Sequence, residues 1–182
     1  MRIERVFANP SADTFDIPPF RSLVKRYLKK SSVSVDPFAR NKRWATYTND
    51  LNPETSAEFH LPALEFLTKL MTEGVKVDLV MFDPPYTRRQ VKEVYDGIGL
   101  GFTNDDSQYF SLNWKREREI INEILDIGGY VLSFGYHSNG MQYSGAYRTD
   151  ELLLVRHGGA HYDTICTVEQ KMAYQSEMFE SA

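Results

Sequence analysis

The sequence predicts an α/β fold built on a mostly parallel, doubly wound sheet that closes in a C-terminal antiparallel hairpin. Three observations carry that expectation. Stretches of strand length alternate with stretches whose apolar residues recur at helical spacing, and strands interleaved with helices make a parallel sheet. Val77 to Phe82 is an almost unbroken apolar run, the mark of a strand buried on both faces. Glu151 to Arg156 and Thr164 to Glu169 read as two strands joined by a loop containing His157-Gly158-Gly159-Ala160-His161, short enough for antiparallel pairing.

The elements follow in order. Phe20, Leu23, Val24, Tyr27 and Leu28 have the i, i+3, i+4 spacing of an amphipathic helix over Phe20 to Lys30. Ser32 to Val35 is a short strand ending at Asp36-Pro37, and Trp44 to Thr48 is a second, ending at Asn49-Asp50. Phe59, Ala63, Phe66, Leu67 and Leu70 mark a helix over Ala57 to Met71, with Pro62 in its early part. After the Val77 to Phe82 strand come helices around Arg89 to Tyr95 and Trp114 to Leu125, separated by a polar loop through Asn104 and Asp105. Gly128-Gly129 then introduces a strand over Tyr130 to Tyr136.

At 182 residues the chain is most simply a single domain, 1–182, with room for a substantial core. Hydrophobic residues make up 42% and charged residues 25%, ordinary values for a globular protein. No apolar stretch approaches the roughly 18 residues of a membrane span, and MRIERVFANPSADTF has no apolar segment of a secretory signal. The lone cysteine, Cys166, lies in a strand-like setting and reads as a small core residue; no internal disulfide is available. These features suit the cytoplasm. The net charge of −4 argues against a broad basic surface, yet cations cluster at Arg21 to Lys30, at Arg40, Lys42 and Arg43, and at Arg88, Arg89 and Lys92.

The last cluster follows Asp83-Pro84-Pro85-Tyr86, where the apolar run breaks off. Proline cannot donate to a sheet ladder, so the strand stops there. Its acid and aromatic ring then occupy the carboxyl end, where open parallel sheets hold their ligands. These four residues resemble the DPPY motif of amino-methyltransferases. The resemblance implies that a carboxylate and a carbonyl within Pro84-Pro85 take the two N–H protons of an exocyclic base amine, freeing its lone pair for attack. The prolines stiffen the acceptors in place, and Tyr86 offers a ring to a base that has left its stack.

These residues form the DPPY motif, and the chain resembles the S-adenosylmethionine-dependent amino-methyltransferases that modify adenine N6 or cytosine N4. It looks most similar to the small adenine-methyltransferase-like proteins of phages and mobile elements. The resemblance implies a Rossmann-like methyltransferase fold, S-adenosylmethionine as cofactor and DNA as partner. It assigns Asp83, Pro84, Pro85 and Tyr86 to catalysis. Asp36, Pro37, Phe38, Ala39, Arg40 and Asn41 resemble the D-P-F cofactor motif, Asp50 stands where an acid meets ribose hydroxyls, and Phe15 and Ile17 belong to a segment covering the cofactor. Arg88, Arg89 and Lys92 are the candidates for phosphate contact.

Two departures qualify that pattern. Glycines follow D-P-F-A in the family, whereas Arg40, Asn41, Lys42 and Arg43 follow here. The cofactor then sits further from the turn, or Arg40 or Lys42 pairs with its carboxylate, or cofactor binding is lost and a nucleic-acid-binding protein remains. No segment is long enough for a separate target-recognition region; Thr87 to Asn113 is the only candidate, which leaves room for a partner subunit. N4 of cytosine, or adenine in RNA, would be served by the same motif. His157, His161 and Asp163 fall short of a zinc site, which needs three or four well-placed ligands, and no metal is expected.

Overall fold

The computed structural model describes residues 1–101, 114–141, 145–159 and 161–172. Seven strands form one sheet: β1 (Arg2–Phe7), β2 (Ser34–Asp36), β3 (Tyr47–Thr48), β4 (Val77–Phe82), β5 (Leu125–Gly135), β6 (Tyr147–Arg156) and β7 (Thr164–Lys171). Their order is β1-β6-β7-β5-β4-β2-β3. Every neighbouring pair is parallel except β5–β7 and β6–β7, so β7 alone runs against the rest. The expected parallel sheet and closing antiparallel pair are both present.

Four helices, α1 (Pro18–Leu28), α2 (Ala63–Thr72), α3 (Arg88–Gly97) and α4 (Lys115–Ile124), are described. Alternation along β4 assigns the two faces. Leu79 and Met81 pack with Phe20, Leu23 and Val24 of α1, whereas Val80 and Phe82 pack with Phe66, Leu67 and Leu70 of α2 and Ile121 and Ile124 of α4. A strand buried on both sides thus needs the near-continuous apolar run that the sequence shows. Cys166 is buried in the α1-side core, as expected, and burial pushes its thiol pKa up.

Several boundaries differ from expectation for local reasons. β3 shortens because Ser34 and Thr46 replace ladder bonds with hydroxyls: Ser34 N–H donates to Thr46 Oγ1 at 3.0 Å and Thr46 N–H to Ser34 Oγ at 3.1 Å. α2 starts only after Pro62, which is its N-cap. The segment entering β2 is held by Asp78 of β4, which accepts from the Ser32 and Val33 N–H groups at 2.7 and 3.3 Å and from the Ser31 hydroxyl. β1 was not expected. It is an edge strand in which Arg2, Glu4 and Arg5 are interspersed with Ile3, Val6 and Phe7, and Ile3 and Phe7 remain exposed.

β5 begins five residues before the expected Tyr130. Its pairing with β4 slips between Val77 and Leu79, and the extra residues are taken up at Gly128-Gly129. Gly128 has φ +85°. At Gly129 an added Cβ would lie 2.7 Å from Leu125 Cδ1 and 2.9 Å from the Asp126 carbonyl. Gly129→Ala is therefore expected to destabilise by about 1–3 kcal/mol. Each kcal/mol lowers the melting temperature by roughly 2–4 °C in a chain of this size, which thermal denaturation would measure.

Candidate active site

β2 and β4 are parallel neighbours, but the chain leaves β2 toward β3 on one side and β4 toward β5 on the other. Their carboxyl ends therefore open a crevice, the position where doubly wound sheets hold ligands. Both strands run into Asp-Pro: β2 ends on Asp36 before Pro37, and Asp83-Pro84 directly follows β4. A cavity of about 780 Å³ opens between the two turns, within the roughly 300–1,000 Å³ usual for small-molecule sites.

The residues expected from the sequence divide into two groups. Pro37, Phe38, Arg40, Asn41 and Asp50 line the cavity from the β2–β3 side, and Asp83, Pro84, Pro85 and Tyr86 line it from the β4 side. Asp36 and Ala39 lie beneath the wall, at 0% and 2% exposure. Phe15 and Ile17 are also core residues, with Phe15 stacked on Trp44 and tilted against Phe134. Their segment reaches the cavity instead through Ala12 and Thr14. Arg88, Arg89 and Lys92 are exposed on α3. Arg89 bonds Glu93 at 2.8 Å and Lys92 bonds Asp96 at 2.5 Å, so two of the three charges are answered within the helix.

Local chemistry shapes the first wall. Asp36 Oδ1 accepts from the Phe38 N–H at 3.0 Å, while Oδ2 has no partner among the described residues. Burial, opposed by that one hydrogen bond and reinforced by Asp83 and Asp50, pushes the Asp36 pKa well up. Arg40 occupies the left-handed region, at φ 49°. That is where the resembling family carries glycine, and a residue with a Cβ sits there at a cost of about 1–3 kcal/mol. Two contacts hold it. Its N–H donates to Asp50 Oδ2 at 3.1 Å, and its guanidinium donates to the Ala12 carbonyl.

Asn49 was not singled out by the sequence, yet it fastens this wall. Its side-chain amide donates to Pro37 O at 3.1 Å and Leu61 O at 2.9 Å, and its Oδ1 accepts from Leu61 N–H at 3.0 Å. The opposite wall is fastened by Gln90, whose Oε1 accepts from Tyr86 N–H at 2.8 Å and Thr87 N–H at 3.1 Å. Thr87 in turn caps α3 by accepting from Gln90 N–H at 3.2 Å. That capping box was legible as Thr-x-x-Gln after the prolines. The Asn49 clamp had no comparable pattern.

The Tyr86 hydroxyl donates to Asp83 Oδ1, and its ring meets Tyr136 edge to face at 4.9 Å. Tyr86 stays protonated, since burial and the Asp83 charge push its pKa well up. Asp83 keeps partial contact with the cavity, yet burial dominates and pushes its pKa up to about 6 against the hydroxyls of Tyr86 and Thr14, which hold it down. His157 is occupied elsewhere, with its ring nitrogens bonded to Ala8 O and the Thr164 hydroxyl at 2.9 and 3.1 Å.

Solved structures share this architecture. TrmN from Thermus thermophilus matches with a TM-score of 0.56 and 15% identity, over 86% of this chain and 49% of its own. SMU.776, a proposed methyltransferase in complex with SAH, matches at 0.53 and 12%, over 82% and 49%. NSun6 from Pyrococcus horikoshii, in complex with SFG, matches at 0.51 and 12%, over 81% and 50%. The fold is the Rossmann-like methyltransferase fold. This chain spans about half the length of those structures. No family model and no curated protein matches it.

Folding favours the protonated form of Asp83, because the folded pKa of about 6 exceeds the ordinary 3.8. The resulting cost is absent below the ordinary value and complete above about 6; it reaches at most about 3 kcal/mol, less whatever cavity solvent screens. Asp83→Asn keeps an acceptor for Tyr86 and removes the charge. It is expected to raise the melting temperature at about pH 8 and to leave it unchanged near pH 3.5, as calorimetry across that range would register.

Proposed function

We propose that this chain is an S-adenosylmethionine-dependent methyltransferase acting on the N6 amine of adenine in DNA. The observation that carries the reading is one cavity bounded by both motif turns, Asp36 to Asn41 on one side and Asp83 to Tyr86 on the other. A cofactor end and an amine-orienting end are then neighbours. The methyltransferase fold, and the SAH complex among the similar structures, support the same reading.

The residues present fit that cofactor. Asp36, Asp50 and Asp83 are close enough for their charges to push up the Asp36 pKa, so a cationic ligand between them would relieve repulsion. Asp50 is fixed by two backbone N–H groups, from Arg40 at 3.1 Å and Asn52 at 2.9 Å. Each of its oxygens retains a lone pair for a ribose hydroxyl. Pro37, Phe38 and Asn41 complete the wall, and Asp36, beneath it, sets the turn through the Phe38 N–H. When bound, S-adenosylmethionine supplies a methyl group on a cationic sulfur.

This chain's part is to present the amine. Asp83 Oδ1 is taken by the Tyr86 hydroxyl, and a carboxylate lone pair left by Tyr86 and Thr14 accepts an N–H of the base; a carbonyl of the Pro84-Pro85 turn takes the other. Two acceptors on one amine draw its lone pair out of conjugation with the ring. Tyr86, with its ring braced by Tyr136 and its N–H held by Gln90, forms a rigid side to the base site. Arg88, exposed at the start of α3, serves as a phosphate contact, and Arg89 and Lys92 reach phosphate by exchanging their partners Glu93 and Asp96.

The test is methyl transfer to unmethylated DNA, with nucleosides resolved by mass spectrometry so that N6-methyladenine, N4-methylcytosine and RNA products are told apart. Asp83→Ala should lower the rate by about 10²–10³ and leave calorimetric binding of SAH, which lacks the cationic sulfur, nearly unchanged. The wild-type rate should fall on acidification through about pH 6, because protonation turns the acceptor into a donor. Undiminished transfer by Asp83→Ala would refute the assignment of Asp83. Failure of the wild-type chain to bind the cofactor would favour a binding protein on the same fold.

A further inference from the structure

Resting on the reading above as a nucleic-acid enzyme, we infer that Tyr136 and Tyr162 form a stacking platform for unpaired bases beside the target nucleotide. The topology brings them together. β4, β5 and β6 are parallel in direction, so Tyr86 after β4, Tyr136 after β5 and Tyr162 in the β6–β7 connection all lie at the carboxyl edge of the sheet. The three rings make a continuous ladder outward from the cavity. Tyr86 and Tyr136 have centroids 4.9 Å apart at 72°, and Tyr136 and Tyr162 have centroids 5.2 Å apart at 45°.

Exposure rises along that ladder. Tyr86 is partly buried against the core, Tyr136 is 37% exposed and Tyr162 is 74% exposed. A large ring of such exposure has no packing role equal to its size, whereas a free aromatic face beside a nucleotide site accepts any base.

Charge points the same way. Binding of duplex DNA through phosphates needs many free cations, and here several are already engaged. Lys42 bonds Asp16 at 2.7 Å, Arg21 bonds Asp16 at 3.1 Å and Arg26 bonds Glu151 at 2.5 Å. The net charge is −4. Stacking at the site edge then adds affinity beside the phosphate contacts of Arg88, Arg89 and Lys92. The ligand class is therefore a single-stranded or locally unpaired segment, with little demand on sequence.

The primary readout is strand binding, which needs no turnover. Fluorescence anisotropy would follow a short labelled DNA single strand containing adenine, the same strand in RNA, and the blunt duplex. The single strands should bind more tightly than the duplex and with a shallow salt dependence. Tyr162→Ala should weaken single-strand binding roughly 5- to 150-fold, the range for loss of one stacked base, and Tyr162→Trp should restore it. Calorimetric binding of SAH should be the same in all three proteins. Tyr162→Ala with wild-type single-strand affinity overturns the platform, as does a wild-type protein that binds no single strand or prefers the duplex. A chain that methylates DNA while Tyr162→Ala is silent would lose this inference and keep the activity. One that methylates nothing while Tyr162→Ala loses its strand would do the reverse.

Discussion

A proline directly after an aspartate ends both β2 and β4, and much of the site follows from that repetition. Proline has no N–H to offer the ladder and disfavours the helical conformation in the residue before it. Two neighbouring parallel strands are therefore cut at the same edge, with a carboxylate as the last residue of β2 and as the first residue after β4. Because the chain departs from β2 and β4 in opposite directions, their loops cannot fill the space above the cut. A crevice walled by acids is what remains.

Keeping such a crevice open has a cost that the surrounding contacts meet. Ionised carboxylates near one another and away from water are unfavourable, and Asp36 and Asp83 respond by holding their protons more tightly. The turns themselves are held by side chains bonded to backbone, with Asn49 on one wall and Gln90 on the other. Arg40 adds a third fastening. It keeps a strained backbone because its two ends are tied to different segments, Asp50 and Ala12. Residues that look replaceable in sequence are thus the ones that hold the acids in position.

Much of this was legible in the sequence where the physics is local. The β4 run, its abrupt end at Asp83-Pro84 and the helical spacing of α1 each express one element's own environment, and the structure has all three. Elements defined by partners were less legible. β1 carries three charges among its six residues and exists because it pairs with β6, far away in sequence. Phe15 and Ile17 read as a cover for the cavity but serve the core beneath it, since an aromatic and an aliphatic residue before a helix suit either place equally. The sequence reserved phosphate contact for Arg88, Arg89 and Lys92 and left the purpose of the earlier cations open. In the fold, Arg21, Arg26 and Lys42 fasten the N-terminal segment and α1 to Asp16 and Glu151. The polar loop at Asn104 to Ser107, within the candidate recognition segment, lies outside the described residues.

The lone antiparallel strand has a consequence for how the chain acquires its shape. β7 lies between β5 and β6, and no other strand bridges those two. Until β7 is in place, β1 with β6 and the group β5-β4-β2-β3 are separate ribbons, each with an unpaired edge. Yet β7 is the last of the seven to be synthesised, so a growing chain carries two incomplete sheets until Lys171 has left the ribosome. Long-range closure of this kind slows folding and leaves strand edges exposed meanwhile. The keystone arrives last, and the sheet becomes a single body only when it does.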